Sequence, residues 1–341
     1  MIRIAVIGAG HWGPNLIRNF DNKQTSEVAW VVDRDAERLR QVVERFPGVR
    51  PSADPGDAIG DPGVDAVVIA TPTATHHAIC EAALRGGKHV FVEKPITANA
   101  EQAEQLCQMA DEGKLILMVG HVFLYNAAVQ HVKRQIDQGS LGPIYYISMV
   151  RTNLGPIRMD VNAAWDLAAH DISIANYWIG VQPLSACAVG GSWINRGIED
   201  TVFATLKFPG GVLVNLHASW LNPRKAREIT VVGERRMLTF DDMNLAEPIR
   251  VYDKYVSDNR VQSQVVDSFA SFRASIREGD ITIPKVALGE PLRTECEHFL
   301  DCIGTGTTPM TDGLEATRVV RVLEAIAQSA ANAGREEPVG P

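Results

Sequence analysis

The run HVFVEKPI, at residues 89 to 96, ends an apolar stretch with an acid, a base and a proline. An ammonium group at the end of a buried strand can hydrogen-bond a substrate hydroxyl and stabilise its oxygen as hydride leaves the carbon. Pro95 restricts Lys94 to extended geometry and so aims its side chain. We therefore predict that Lys94 is catalytic; the alternative is a surface lysine in a turn.

Two further candidate catalytic residues, Asp166 and His170, lie in AAWDLAAHDISIANYWIG, residues 163 to 180, whose apolar pattern predicts a helix. Asp166 and His170 are four residues apart and therefore neighbours on one helix face, with Asp171 turned away. Histidine can take a hydroxyl proton at neutral pH, and a carboxylate one turn back can orient it. The alternative is a structural histidine. No third ligand spacing supports a metal, so we predict none.

The segment Gly8-Ala9-Gly10-His11-Trp12-Gly13 is a G-x-G-x-x-G that follows a strand pattern and opens a helix. Gly8 permits a tight turn, Gly10 lets the backbone approach a pyrophosphate, and Gly13 allows close helix packing. Asp33 lies 20 residues past Gly13, where a carboxylate accepts hydrogen bonds from ribose hydroxyls. Together these features predict a dinucleotide site.

The charge at Asp33 disfavours a 2′-phosphate, whereas Arg34 beside it can attract one or stack on adenine. We predict NAD in preference to NADP. The other residues expected to contact the cofactor follow the strand ends or lie beside Asp166. They are His11, Trp12, Arg34, Thr71, Pro72, Thr73, His76, Glu93, Lys94 and Trp165. A dinucleotide-binding redox sensor without turnover is the non-enzyme alternative.

Near-continuous apolar runs at 2–10, 28–33, 64–72, 88–94 and 115–121 alternate with amphipathic helix patterns. This alternation is typical of a parallel sheet covered on both faces. Residues 1–121 are therefore predicted to form a doubly wound Rossmann domain, whose ligands lie beyond the carboxyl ends of the strands.

Past residue 139 the strand-like runs alternate and are joined by short turns. KFPGGVL, residues 207 to 213, predicts a hairpin, while residues 243 to 290 show no clear pattern. Amphipathic helices at 292–306 and 313–334 close the chain. The predicted fold class is thus α/β plus α+β, with residues 122–341 forming a substrate-binding domain on a mostly antiparallel, open-faced sheet. Its last helices are expected to pack back on the first domain.

The 341-residue chain carries a net charge of −8, which argues against a general nucleic-acid binder. No window holds the 18 uncharged apolar residues of a membrane span, and Met1 leads directly into the first strand, so we expect neither membrane insertion nor export. The cysteines lack C-x-x-C spacing, which favours a reduced, cytoplasmic protein. They are Cys80, Cys107, Cys187, Cys296 and Cys302.

The glycine segment, ATPTATHH at 70–77, EKP at 93–95 and WDLAAHD at 165–171 together resemble the Gfo/Idh/MocA family, the glucose-fructose oxidoreductase and inositol dehydrogenase group. The resemblance covers essentially the whole chain. It implies a nicotinamide-dependent sugar or cyclitol oxidoreductase with Lys94, Asp166 and His170 as its catalytic group and His170 as general acid/base. It also implies dimers or tetramers formed through the C-terminal sheet.

Within that family, the stretches at 120–147, 151–174 and 219–233 resemble the branch acting on nucleotide-linked sugars. The implied reaction is oxidation at C3 of a UDP-N-acetylhexosamine or its uronic acid. The alternatives are reduction of a 3-ketosugar on a thymidine diphosphate and oxidation of inositol or a free sugar. Residues expected to contact the substrate, each with a structural or solvent-exposed alternative, are Lys94, Asn126, Asn153, Arg158, Asn162, Asp166, His170, Arg224 and Lys225.

Overall fold

The computed structural model describes residues 1–21, 24–256, 276–277 and 279–340. The chain divides into two compact units. The N-terminal unit comprises Met1–Tyr125 and Gly289–Glu324, and the C-terminal unit comprises Asn126–Leu288 and Ala325–Pro341. No helix among the described residues is both long and apolar enough to cross a membrane.

The N-terminal unit is built on a six-stranded parallel sheet in the order β3-β2-β1-β4-β5-β6. Its strands are β1 (Ile2–Ile7), β2 (Ser26–Val32), β3 (Arg50–Ser52), β4 (Ala66–Ile69), β5 (His89–Glu93) and β6 (Leu117–Gly120). All five predicted apolar runs are strands of this sheet. The doubly wound fold is confirmed; the short edge strand β3 carries little apolar signal and was not anticipated.

Five helices connect these strands: α1 (Gly13–Phe20), α2 (Ala36–Arg45), α3 (Pro55–Ile59), α4 (His76–Arg85) and α5 (Ala100–Gly113). Asp35 caps α2 by accepting hydrogen bonds from the Glu37 and Arg38 amides, and Asn99 caps α5 in the same way. Each cap accepts hydrogen bonds from amides of the first helical turn and so fixes where its helix begins.

The C-terminal unit contains α6 (Ala127–Asp137), α7 (Ala169–Ile179) and a nine-stranded sheet in the order β16-β13-β12-β11-β7-β10-β9-β8-β17. Of its described strand pairs, β7 with β10 is parallel and the others are antiparallel, which confirms the mostly antiparallel sheet. The strands of this sheet are β7 (Ile144–Leu154), β8 (Ser185–Gly191), β9 (Thr201–Lys207), β10 (Leu213–Ser219), β11 (Leu221–Gly233), β12 (Met237–Asp241), β13 (Ile249–Tyr252), β16 (Ile281–Thr282) and β17 (Glu337–Pro338). Two short strands, β14 (Tyr255–Val256) and β15 (Ile276–Arg277), pair with each other outside this sheet.

The predicted hairpin is confirmed as β9 and β10, which pair antiparallel around Pro209–Gly211. Gly210 and Gly211 both have positive φ, 76° and 82°, which side chains rarely adopt. Alternate side chains of this sheet are buried on one face. On the other face Tyr146, Phe203 and Leu213 are exposed, so that face is open to solvent in the single chain.

Two further helices, α8 (Pro291–Thr305) and α9 (Gly313–Ala331), lie between β16 and β17 in the chain. The Phe299 ring on α8 lies 6.0 Å from the Phe20 ring and 5.7 Å from the Phe91 ring, both edge to face. The Tyr125 hydroxyl lies 3.1 Å from that of Thr311. Residues 289–324 therefore help to form the core of the N-terminal unit.

Candidate active site

The loop after β1 has the geometry that a dinucleotide requires. Gly8 has φ of +105°, and a Cβ there would lie 2.6 Å from the Ala70 carbonyl oxygen; a Cβ at Gly13 would lie 2.2 Å from the Gly8 carbonyl oxygen. At Gly10, by contrast, the nearest atom to a Cβ is Arg38 Nη1 at 3.6 Å. The first and third glycines thus pack against protein, whereas the second leaves room for a ligand, as the motif requires.

Asp33 is fixed against this loop at the end of β2. Its Oδ2 accepts a hydrogen bond from the Ala9 amide at 2.7 Å, and its Oδ1 accepts one from the Asp35 amide at 2.9 Å. The Arg38 guanidinium lies 3.8 Å from Oδ2, whereas Arg34 is exposed. The residues therefore fit an adenosine ribose at Asp33. Sequence reasoning missed Arg38, although its place in the first turn of α2 is the signal that could have found it.

The segment after β4 is tied to the loop after β5 through His76. This buried imidazole lies 2.9 Å from the Pro95 carbonyl oxygen through Nδ1 and 2.8 Å from the Thr71 carbonyl oxygen through Nε2. Thr75 adds a hydroxyl contact of 2.8 Å to Thr71. The expected cofactor contacts at 71–73 and 93–94 are thus held together at the carboxyl edge of one sheet.

Lys94 lies directly after β5, among buried titratable groups. Burial raises the pKa of Glu93 to about 7, and the neighbouring Lys94 ammonium opposes that rise. His121, just past the end of β6, is buried; burial first and the Lys94 charge second lower its pKa to about 3, which keeps it neutral. Sequence reasoning missed His121, although its place as the last residue of the predicted apolar run at 115–121 marks it as part of the same edge.

The segment predicted as one helix over 163–180 has two parts. Ala164–Ala168 forms a π-helical turn, and α7 follows it from Ala169. Asp166 lies in the π-helical turn and His170 in the first turn of α7, so the ideal α-helical spacing assumed for this pair is wrong. Such turns inside helices are frequent at functional sites.

Two donors hold the Asp166 carboxylate. Its Oδ1 lies 3.3 Å from Arg158 Nη1, and its Oδ2 accepts a hydrogen bond from the Trp220 indole at 3.1 Å. Trp220 is buried at the end of β10, so the indole is a rigid donor. The carboxylate is thereby fixed in orientation. Trp220 was missed because nothing local marks a tryptophan as the partner of an aspartate 54 residues away.

A buried ion pair anchors the helix that carries His170. Arg151 on β7 donates to Asp171 Oδ1 through Nη2 at 2.7 Å and through Nε at 3.0 Å. Both side chains are only 4% exposed. The Asp171 carboxylate is therefore buried against β7, and its contact sets the position of α7, while His170 is half-buried.

Two asparagines predicted to contact the sugar substrate make hydrogen bonds within the protein. Asn126 caps α6 by accepting a hydrogen bond from the Ala128 amide at 2.8 Å. Asn162 accepts from the Trp165 amide at 3.1 Å and donates to Glu199 at 2.8 Å, which braces the π-helical turn. Their role toward a substrate stays a prediction, as does the cofactor contact assigned to Trp165.

Two of the predicted substrate cations, Arg158 and Arg224, already have carboxylate partners. Arg158 donates to both oxygens of Asp160, at 3.0 and 2.6 Å, in addition to its contact with Asp166. Arg224 pairs with Glu228 on β11, where the pairing with β7 shifts register. A diphosphate would have to compete with these carboxylates. The other two predicted contacts on these strands are Asn153 and Lys225.

Comparison with models of known protein families shows to which family the chain belongs. The model described as "Oxidoreductase family, NAD-binding Rossmann fold" matches residues 2–121, and the model described as "GFO/IDH/MocA C-terminal domain" matches residues 129–239. The chain belongs to the Gfo/Idh/MocA oxidoreductase family. The enzyme is therefore an NAD-binding oxidoreductase, which confirms the predicted family, fold, enzyme class and cofactor.

Relatives of this Gfo/Idh/MocA enzyme act on different substrates. UDP-N-acetylglucosamine 3-dehydrogenase of Acidithiobacillus ferrooxidans is 28% identical over 94% of each chain. The scyllo-inositol 2-dehydrogenase (NAD(+)) of Bacillus subtilis is 27% identical over 93% of this chain and 90% of its own. The solved structure of the first, named GnnA, has a TM-score of 0.81 at 27% identity and covers 98% of this chain and 99% of its own.

The room at Gly10 supports a clear prediction for cofactor binding. In Gly10→Ala the added methyl group meets no atom closer than 3.6 Å in the free protein, but it occupies the space where a pyrophosphate would approach. We expect the Kd for NAD to rise at least about tenfold with an unchanged melting temperature. Calorimetric titration and thermal melting measure the two quantities.

Gly48→Ala is the matched control, because a Cβ at Gly48 meets nothing within 4 Å and that residue lies away from the loop. Both its NAD affinity and its melting temperature should equal those of the unchanged protein. Wild-type NAD affinity in Gly10→Ala would place the pyrophosphate elsewhere.

Proposed function

We propose that the protein oxidises the C3 hydroxyl of a UDP-N-acetylhexosamine or its uronic acid, with NAD as the acceptor. The observation that carries this proposal is the full-length similarity, in both sequence and structure, to a UDP-N-acetylglucosamine 3-dehydrogenase. The coarser conclusion, a sugar oxidoreductase of the Gfo/Idh/MocA family, does not depend on which sugar is bound.

We assign the chemical steps to three side chains. His170 takes the hydroxyl proton, and Lys94 donates a hydrogen bond to the same oxygen and stabilises the negative charge that develops on it. Asp166, held by Arg158 and Trp220, orients the imidazole. The bound nicotinamide supplies the hydride acceptor for this chemistry.

A second candidate function is oxidation of an inositol or a free sugar. It is supported by similarity to a scyllo-inositol 2-dehydrogenase over nearly the whole chain. The ion pairs of Arg158 and Arg224 also favour it, because a neutral polyol needs no free cation. The thymidine-linked ketosugar reductase has no such specific support.

A substrate panel separates these candidates. We expect kcat/KM with NAD to be at least about a hundredfold higher for UDP-N-acetylglucosamine or its uronate than for scyllo-inositol, myo-inositol or free N-acetylglucosamine. Absorbance of the reduced nicotinamide measures each rate. With substrate deuterated at C3, the label should pass to the nicotinamide.

Equal or faster turnover of inositol would establish the second candidate, and label loss from another ring carbon would exclude C3 as the reacting position.

The assembly of the chain is a separate prediction. A homodimer or homotetramer through the face bearing Tyr146, Phe203 and Leu213 would bury exposed apolar surface, and light scattering measures its mass in solution.

A further inference from the structure

The loop between β8 and β9, residues 192–200, carries exposed side chains that have no part in the steps assigned above. Trp193 is 69% exposed and the neighbouring Ile194 is 59% exposed. Arg196 on the same loop is also exposed, and no carboxylate pairs with it among the described residues. An exposed tryptophan next to an exposed isoleucine is a contiguous apolar patch, which is typical of a binding surface.

A buried carboxylate holds the backbone of this loop. Asp200 is fully buried, and its Oδ2 accepts hydrogen bonds from the Trp193 amide at 2.6 Å and from the Ile194 amide at 2.8 Å. The Trp193 ring lies against Gly191, where an added Cβ would come within 2.2 Å of the indole. Trp193 is therefore exposed in a fixed place, because the carboxylate orients its backbone and the glycine leaves room for its ring.

Hydrogen bonds join this loop to the segment that bears the candidate catalytic aspartate. Glu199 accepts from the Ala163 amide at 2.9 Å through its carbonyl oxygen and from the Asn162 side chain at 2.8 Å through its carboxylate. Both partners directly precede the π-helical turn. The Asn195 side chain donates to the Arg158 carbonyl oxygen at 3.4 Å. The loop and the aspartate thus belong to one hydrogen-bonded framework within the C-terminal unit.

The exposed groups of the loop fit a nucleoside diphosphate better than a free sugar. An indole ring can stack on the face of a nucleobase, and a guanidinium can donate to two oxygens of a phosphate at once. Arg196 is available for this pairing, whereas Arg158 and Arg224 already pair with carboxylates. A neutral polyol such as inositol offers neither a base nor a phosphate to these side chains. The chemistry of the loop therefore favours a ligand that carries both.

We propose that Trp193 and Arg196 form a uridine diphosphate subsite, in which the indole stacks on uracil and the guanidinium binds the diphosphate. This inference rests on the proposed function, because it assigns the recognition of the same substrate. The subsite contacts the part of the substrate that does not react, so it stabilises the ground state and the transition state equally. Its loss therefore raises KM and leaves kcat nearly unchanged.

Binding of UDP and of uridine to the full-length protein separates the two contacts, and NMR titration measures both affinities. In Trp193→Ala we expect the Kd for each ligand to rise about tenfold, the usual loss when a base no longer stacks on an aromatic ring. In Arg196→Gln the Kd for UDP should also rise about tenfold, whereas the Kd for uridine, which has no phosphate, should not change. Trp193→Phe keeps an aromatic face and should keep most of the affinity.

Two exposed residues of the same unit provide matched controls. Leu245 is 73% exposed, and Leu245→Ala removes an apolar side chain outside the loop. Arg235 pairs with its neighbour Glu234, and Arg235→Gln removes a surface cation. Neither substitution should change the Kd for UDP. Because Trp193→Ala and Arg196→Gln also truncate exposed side chains, the melting temperature of each should equal that of the unchanged protein.

Kinetics with UDP-N-acetylglucosamine distinguish failure of the subsite from failure of the proposed function. If Trp193→Ala weakens UDP binding but the unchanged protein oxidises no UDP-sugar, the proposed function fails and the subsite stands. If the unchanged protein oxidises the UDP-sugar, while Trp193→Ala keeps both its KM and its Kd for UDP, the subsite is overturned and the reaction stands. A smaller mass of Trp193→Ala by light scattering, with unaltered UDP affinity, would make the loop an interface between copies of the chain and would also overturn the subsite.

Discussion

Replacing Lys94 by methionine is expected to lower kcat/KM for sugar oxidation about 10²- to 10³-fold, the usual loss when one donor to a developing oxyanion is removed. Methionine keeps the shape of the unbranched lysine stem but lacks the terminal ammonium, with its charge and its N–H groups. The Kd for NAD should stay within about threefold, because the pyrophosphate and ribose contacts lie at the glycine loop and Asp33. Steady-state kinetics and NAD titration separate the two effects.

Lys133→Met is the matched control, since Lys133 on α6 pairs with the exposed Asp137 and has no proposed role in turnover. It should leave both constants unchanged. Lys94→Arg restores the charge with a planar, longer group and should recover only part of the lost turnover. If Lys94→Met turns over at the wild-type rate, the group that stabilises the oxygen is a different one.

The parts of this molecule that could be predicted are those whose physical cause lies within a few residues. The glycine spacing at 8–13 determines the local backbone turn. The apolar run at 89–93, followed by Lys94-Pro95, predicts both a strand and the residue at which it ends. The hairpin at 207–213 is set by Pro209 and the two glycines that follow. Each of these features depends on local backbone geometry, so sequence pattern was enough.

The parts that could not be predicted depend on partners far apart in the chain. The π-helical turn at Ala164–Ala168 lies where Glu199, through Asn162, and Trp220, through Asp166, hold the segment from distant parts of the chain. The Phe299 ring meets the Phe91 ring only because α8 returns to the first sheet. Periodicity records which face of an element is apolar, but it does not record which distant element covers that face.

The buried ion pair of Arg151 and Asp171 also joins two separate elements, β7 and α7. Its removal gives the largest loss of stability that we expect. Arg151→Met leaves the Asp171 carboxylate buried at 4% exposure without the guanidinium that donates to it twice. We expect the free energy of unfolding to fall by about 3–5 kcal/mol. Urea denaturation followed by circular dichroism measures this loss.

The double substitution Arg151→Met with Asp171→Leu removes both charges, and it should recover much of the loss because well-packed apolar residues often replace a buried ion pair without penalty. Arg40→Met is the control for losing an arginine as such. Arg40 pairs with Glu37 on the exposed face of α2, and its removal should leave the unfolding curve unchanged. Wild-type stability in Arg151→Met would mean that packing alone fixes α7. A double variant no more stable than Arg151→Met would show that the carboxylate left behind is not the source of the loss, and that the guanidinium contributes through its own packing.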